Sequence, residues 1–175
     1  MLIKKELLRD ARHAAENLLG KFLFRKINGK ILIAKIVETE AYFDEHDPAS
    51  RATQNGDLRE TMMMDAGTIL VYGVHNNWLL NIVTGNKGKA EAVLLRALEP
   101  LNFCGNTRGP GLLTKALLID KSLHKKNVFC NEELWIEEKE RENFVIVKDF
   151  RIGVKKDLNE KLRFYIRDNA YVSKN

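Results

Sequence analysis

Two glutamates and a tyrosine close the run from Ile31 to Tyr42, ILIAKIVETEAY. Side chains alternate between the faces of a strand, so Leu32, Ala34, Ile36, Glu38, Glu40 and Tyr42 share one face, and Ile31, Ile33, Lys35, Val37, Thr39 and Ala41 the other. At a rise of about 3.3 Å per residue, Glu38 and Glu40 stand roughly 6–7 Å apart. That is near the ~6.5–9.5 Å of carboxylate pairs in which one acid protonates a leaving group and the other activates water at a sugar carbon. An apolar face that turns to Glu, Glu and Tyr within one strand differs from a solvated face, whose polar residues are spread along its length. It reads as a core strand whose far end opens into a pocket. A strand end reaching solvent would carry the same residues, and this run alone leaves both readings open.

A second stretch with chemical potential is Gly109-Pro110-Gly111 ahead of LLTKALLI. A glycine-flanked helix start offers free N–H groups and a positive dipole end, suited to a phosphate. A plain turn into a helix accounts for it equally well. The two cysteines, Cys104 and Cys130, and the four histidines, His13, His46, His75 and His124, are scattered rather than set at ligand spacing, so no structural metal is expected.

The elements that must position these groups follow from periodicity. Leu7, Leu8, Ala11, Ala15, Leu18 and Leu19 recur at helical spacing ahead of Gly20, which predicts an amphipathic helix from Lys5 to Leu19. Phe22 to Arg25 reads as a short strand, joined by the hairpin signal Asn28-Gly29 to the strand that ends at Tyr42. Phe43 to Met64 is polar and broken by Asp47-Pro48 and Asn55-Gly56, which predicts a long, functional loop. Thr68 to Val74 and Trp78 to Thr84 are apolar strands around a polar tip, His75-Asn76-Asn77. A further strand covers Ala90 to Leu98, and short strands are expected at LWIE, FVIV, RIGV and RFYI, separated by charged linkers such as Glu137 to Glu142. Helices at the start and middle with many antiparallel strands predict a single α+β domain over residues 1–175. Its sheet should be curved and mostly antiparallel, roll- or open-barrel-like, and flanked by helices.

With 175 residues, 45% hydrophobic and 30% charged, the chain can bury a proper core. It has no apolar run near the ~20 residues that span a bilayer. Charges interrupt the N-terminus throughout, unlike a secretory signal, so a cytoplasmic, nucleoid-associated location is expected, or a nuclear one in a nucleated cell. A net charge of +5 and pI near 9.2 suit an anionic partner or a basic protein with scattered lysines.

Six colinear segments, IVETEAY, DPAS, VLLRALEP, GPGLLTKAL, RIGV and LRFYIRDNAYVS, resemble the alkyladenine (3-methyladenine) DNA glycosylase family and together cover most of the chain. The resemblance implies a monofunctional DNA repair enzyme. It would flip damaged purines of the 3-methyladenine, hypoxanthine and ethenoadenine class out of double-stranded DNA and hydrolyse the N-glycosidic bond, leaving an abasic site. It implies no cofactor and a monomer. By this match Glu40 is the general base that activates water, and Arg96 is an active-site arginine that holds phosphate or orients the glutamate. Tyr42 and Tyr72 match aromatics that stack on the extruded base, and Asn81 an asparagine that obstructs the 2-amino group of guanine.

Two departures stand out. Arg51 occupies a position where the family usually has a pocket histidine. The family's intercalating tyrosine has no counterpart in VYGVHNNW, a segment about one residue short, which leaves His75, Asn76 and Asn77 as candidates to enter the duplex. Gly109 and Gly111 are candidates to contact DNA. Two other readings stay open: a glycoside hydrolase acting on free nucleosides, and a protein that binds lesions without cutting them.

Overall fold

The computed structural model describes residues 1–139 and 143–173. A 3-10 turn at Lys5–Leu8 precedes helix α1, Ala11–Leu18. The single helix expected from Lys5 to Leu19 is therefore broken at Arg9 and Asp10. Asp10 caps the new start by accepting the His13 N–H at 2.8 Å, and Glu91 accepts the Ala11 N–H at 3.0 Å. Carboxylates satisfy the free N–H groups of a helix start far better than they continue a helix.

Strands β1, Phe22–Ile27, and β2, Lys30–Tyr42, form the expected hairpin, with Asn28 and Gly29 at φ of 49° and 77°. Both central residues at positive φ make the turn whose twist matches that of the strands. The segment from Phe43 to Met64 is not all loop: it holds a 3-10 turn at Arg51–Thr53 and helix α2, Asp57–Met62. Leu58 and Met62, one helical turn apart, join a small apolar cluster with Leu70, Val83 and Tyr72.

Strands β3, Ile69–Val74, and β4, Asn77–Val83, meet at a two-residue turn, His75 and Asn76, with φ of 47° and 60°. Asn77 is not part of the tip: it opens β4 and pairs with Val74. Strand β5, Ala92–Pro100, is followed by helix α3, Pro110–Ala116, then by β6, Leu134–Glu137, β7, Ile146–Asp149, and β8, Arg163–Ile166. FVIV is thus strand only from Ile146, and RIGV is a loop rather than a strand. Arg151 there is tied down by carboxylates and Gly153 sits at φ 76°. Of the charged linker expected at Glu137 to Glu142, Glu140, Arg141 and Glu142 lie outside the described residues.

The strand order is β3-β4-β5-β2-β1-β6, with β8 on β2 and β7 on β8, and all these pairings are antiparallel. This is the α+β, curved-sheet architecture expected from sequence, curled into a half-barrel. Strand β2 organises it. One edge pairs with β5 from Ala34 to Tyr42, and the other is shared by β1 along Lys30 to Lys35 and β8 along Glu38 to Glu40. Helix α1 packs across β2, where the Thr39 hydroxyl donates to the Ala15 carbonyl at 2.7 Å. Strands β4 and β5 pair only over Asn81–Val83 and Ala92–Leu94. Beyond that they part, and α3 covers the freed stretch of β4, its Thr114 hydroxyl donating to the Trp78 carbonyl at 2.7 Å. A cavity opens beside this gap.

Candidate functional site

The register between β2 and β5 slips twice around Glu38, passing over Val37 on one strand and Arg96 on the other. Such bulges bend a strand and re-aim a side chain. Here the slip sends the Arg96 guanidinium between the two glutamates, with Nε 3.4 Å from Glu38 Oε1 and Nη1 3.3 Å from Glu40 Oε1.

The two carboxylates share full burial but little else. Glu38 accepts the Ser173 N–H at 2.7 Å, the Ser173 hydroxyl at 3.0 Å and Arg163 Nη1–H at 3.1 Å, so it fastens the C-terminal segment and β8 to β2. It does not line the cavity. Glu40 Oε1 accepts the Ile152 N–H at 2.7 Å and Arg96 Nη1–H at 3.3 Å, while Oε2 accepts the Tyr42 hydroxyl at 2.8 Å. All three donors belong to residues that line the cavity. Glu40 therefore lies directly beneath the cavity floor. A carboxylate has about four lone-pair sites, so one on Oε2 is left for a further donor.

Burial pushes the Glu40 carboxyl above its ordinary value of 4.5, against the pull of Arg96, the Ile152 N–H and the Tyr42 hydroxyl. Burial, then the adjacent Glu40 charge, pushes the Tyr42 phenol well above its ordinary 10.0. Tyr72 is raised by burial too, with Arg51 opposing. Both phenols are neutral donors at neutral pH, and Glu40 is the group able to take a proton.

The cavity holds about 820 Å³. Tyr42, Arg51, Tyr72 and Arg96 line it together, as do His75, Asn77 and Gly111; Asn76 and Gly109 do not. Asn81 lies behind this wall, fully buried, donating to the Leu70 carbonyl at 3.2 Å and bordering a void of about 10 Å³ shared with Tyr42, Arg51 and Tyr72. Gly111 has a packing reason for being glycine: a Cβ there would lie 2.8 Å from the Asn77 side chain. Among the described residues, the arginines and lysines on the wall are Arg51, Arg96, Lys155 and Lys156, with no Asp or Glu beside them. Among the described residues, no group of three or more His, Cys, Asp or Glu is arranged to hold a metal ion, and no helix is long and apolar enough to cross a membrane.

Each tyrosine carries a guanidinium over its ring, Arg151 at 4.5 Å from the Tyr42 centroid and Arg51 at 5.0 Å from that of Tyr72. Arg151 is enclosed. It makes a bidentate pair with Asp47 at 2.6 and 2.7 Å, donates to Asp157 at 2.9 Å and to the Ala41 carbonyl at 2.9 Å. Asp47 also accepts the Phe43 and Ala49 N–H groups. Burial opposes its ionisation, but the Arg151 bonds and these N–H groups prevail and hold it below its ordinary 3.8. This network locks two loops over Tyr42. DPAS and RIGV carry the family resemblance, yet nothing in the sequence alone marks Asp47, Arg151 or Ile152 as part of the site. The first two pair across 104 positions, and Ile152 acts through its backbone.

Residues 5–170 match the family described as Methylpurine-DNA glycosylase (MPG). A protein of Legionella pneumophila (strain Corby) is 40% identical over 174 residues, covering 95% of this chain and 94% of its own. One from Aeropyrum pernix is 40% identical over 181 residues, covering 99% and 93%, and one from Clostridium beijerinckii is 37% identical over 203 residues, covering 99% and 100%. Each is named "putative 3-methyladenine DNA glycosylase".

Proposed function

Because the chain belongs to the methylpurine-DNA glycosylase family, we propose that it removes damaged purines from double-stranded DNA by hydrolysing the N-glycosidic bond. The observation that carries this is Glu40, held by three donors under a cavity walled by Tyr42 and Tyr72. In this reading the damaged nucleotide leaves the stack and its base enters between the two rings. A water donates to the open site on Glu40 Oε2. As the bond from C1′ to the purine nitrogen stretches, its electron pair goes to the base, and the sugar gains oxocarbenium character that the carboxylate stabilises. Glu40 takes the proton of the attacking water, whose oxygen bonds to C1′; an uncharged purine takes a proton from solvent as it leaves, whereas a purine made cationic by alkylation leaves neutral without one. Arg96 positions Glu40 and lowers the cost of its buried charge.

Among the described residues, Arg51, Lys155 and Lys156 stand on the cavity wall with no carboxylate beside them, which favours a polyanion over a free nucleoside. Glu38, used up in anchoring Arg163 and Ser173, is not available as the second acid of a glycoside hydrolase pair. The wedge that keeps the flipped base out is assigned to the β3–β4 tip, where His75 lines the cavity and Asn76 completes the turn. A fluorescent base analogue beside the lesion should report a smaller flipped population in His75→Ala, and an unchanged population would place the wedge elsewhere.

The function is tested by incubating the protein with duplexes carrying hypoxanthine, 3-methyladenine or 1,N6-ethenoadenine, with EDTA present, and resolving strands before and after alkali. Free base and alkali-dependent breaks are expected. Breaks before alkali would instead point to an amine nucleophile. Binding without base release would favour a lesion-recognition protein.

A further inference from the structure

The three guanidiniums around the site are not equivalent. Arg151, over Tyr42, is neutralised by Asp47 and Asp157. Arg96 is neutralised by Glu38 and Glu40. Arg51, over Tyr72, has no carboxylate partner among the described residues, yet it is partly buried in the cavity wall rather than spread into solvent. Its backbone is fixed: Ser50 Oγ accepts the Ala52 N–H at 3.1 Å, the Arg51 carbonyl accepts the Gln54 N–H at 3.3 Å, and Ala52 is fully buried. A permanent, unneutralised positive charge thus stands where a base would stack.

We infer that the cavity discriminates against modified purines that carry a positive charge in favour of uncharged ones, with Arg51 as the selecting residue; this deepens, and rests on, the glycosylase reading above. A bare tyrosine face attracts cations through its quadrupole. Here the guanidinium already holds that attraction, so a cationic purine such as 7-methylguanine or 3-methyladenine in DNA gains less from Tyr72. It also meets a like charge partly withdrawn from solvent, where charges interact more strongly than in bulk water. An uncharged purine meets no repulsion. The planar guanidinium can stack on its ring, and its five N–H donors suit an acceptor edge such as the oxygen and ring nitrogen of hypoxanthine. Lys155 and Lys156 are also cationic but exposed, so solvent and salt screen them.

The test is single-turnover base release from duplexes carrying hypoxanthine, 1,N6-ethenoadenine, 7-methylguanine or 3-methyladenine. Each rate is divided by its uncatalysed rate, because cationic lesions depurinate readily on their own. Wild type should show the larger enhancement for the two uncharged lesions. Arg51→Ala and Arg51→Gln should move the cationic-to-uncharged ratio upward by at least tenfold, a change of about 1.4 kcal/mol. Arg51→Lys, which keeps the charge, should hold the wild-type ratio. An unchanged ratio in Arg51→Ala and Arg51→Gln, or an Arg51→Lys that behaves like Arg51→Ala, would overturn the inference while base release itself upheld the glycosylase reading. Release of no base from any duplex would overturn both.

Discussion

The main-chain N–H of Ile152 donates a 2.7 Å hydrogen bond to Glu40 Oε1, across 112 positions of sequence. It joins the loop after β7 to the end of β2 and fixes one oxygen of the carboxylate, while Tyr42 holds the other. The geometry of the candidate base therefore depends on a loop that is itself held by Arg151 and Asp47.

Tyr42→Phe removes the hydroxyl that donates to Glu40 at 2.8 Å. That bond favours the ionised carboxylate, so its loss raises the Glu40 pKa further. The acid limb of the single-turnover pH profile should shift to higher pH, with the rate defect largest at the acid end and shrinking as pH rises. A uniform loss across the profile would show that the hydroxyl acts otherwise than on Glu40.

The pH dependence of stability should carry two opposite contributions. Glu40 is held above its ordinary 4.5 by burial. Between the unfolded and folded values the native state keeps the extra proton, so stability falls as pH rises through that window. Asp47 is held below 3.8, chiefly by Arg151 against burial, so its contribution is present above that value and lost as pH falls through the folded one. Urea unfolding across pH should show Asp47→Asn losing about 3–5 kcal/mol at neutral pH, as expected when one partner of a buried pair is removed. The deficit should narrow under acid conditions.

Glu38→Gln should be a stability variant rather than a chemical one. Glu38 is fully buried among Arg163, Arg96 and Ser173, so its neutralisation leaves each arginine one carboxylate short, Arg163 keeping Asp149 and Arg96 keeping Glu40, and should cost about 1–3 kcal/mol. Below its melting transition, single-turnover excision should stay within about tenfold of wild type, short of the ~10²–10⁴ that a lost general base costs. A rate defect matching that of Glu40→Gln would revive the paired-carboxylate reading.

Lys155 and Lys156 stand exposed at the cavity rim. If each neutralises one backbone phosphate, replacing either by alanine should weaken binding to every duplex alike and reduce the slope of log affinity against log salt by about 1. An unchanged slope in the double variant would move the backbone contacts elsewhere.

Much of this was legible in the chain. Asn28-Gly29 announced its hairpin, and the alternation of ILIAKIVETEAY put Glu38 and Glu40 on one face of β2, where Arg96 now meets both. The same alternation could not say which glutamate faces the cavity, because that depends on Ser173 and Arg163 claiming Glu38 from far along the chain. RIGV looked like strand because Ile and Val favour strands, but burial of the Arg151 pair overrides that preference. Helix α2 is too short, at six residues, to show a period. The Ile152 N–H had no sequence signature, since every residue but proline carries one.

The proposed chemistry turns on Glu40, and the most direct measurement is single-turnover release of hypoxanthine from duplex DNA by Glu40→Gln beside wild type. Binding of the lesion duplex should be measured on the same samples. The amide keeps the shape while losing the ability to take a proton. The rate should fall by at least about 10²–10⁴, with lesion binding retained. A Glu40→Gln variant that releases the base within tenfold of the wild-type rate would contradict the role of Glu40 as the base.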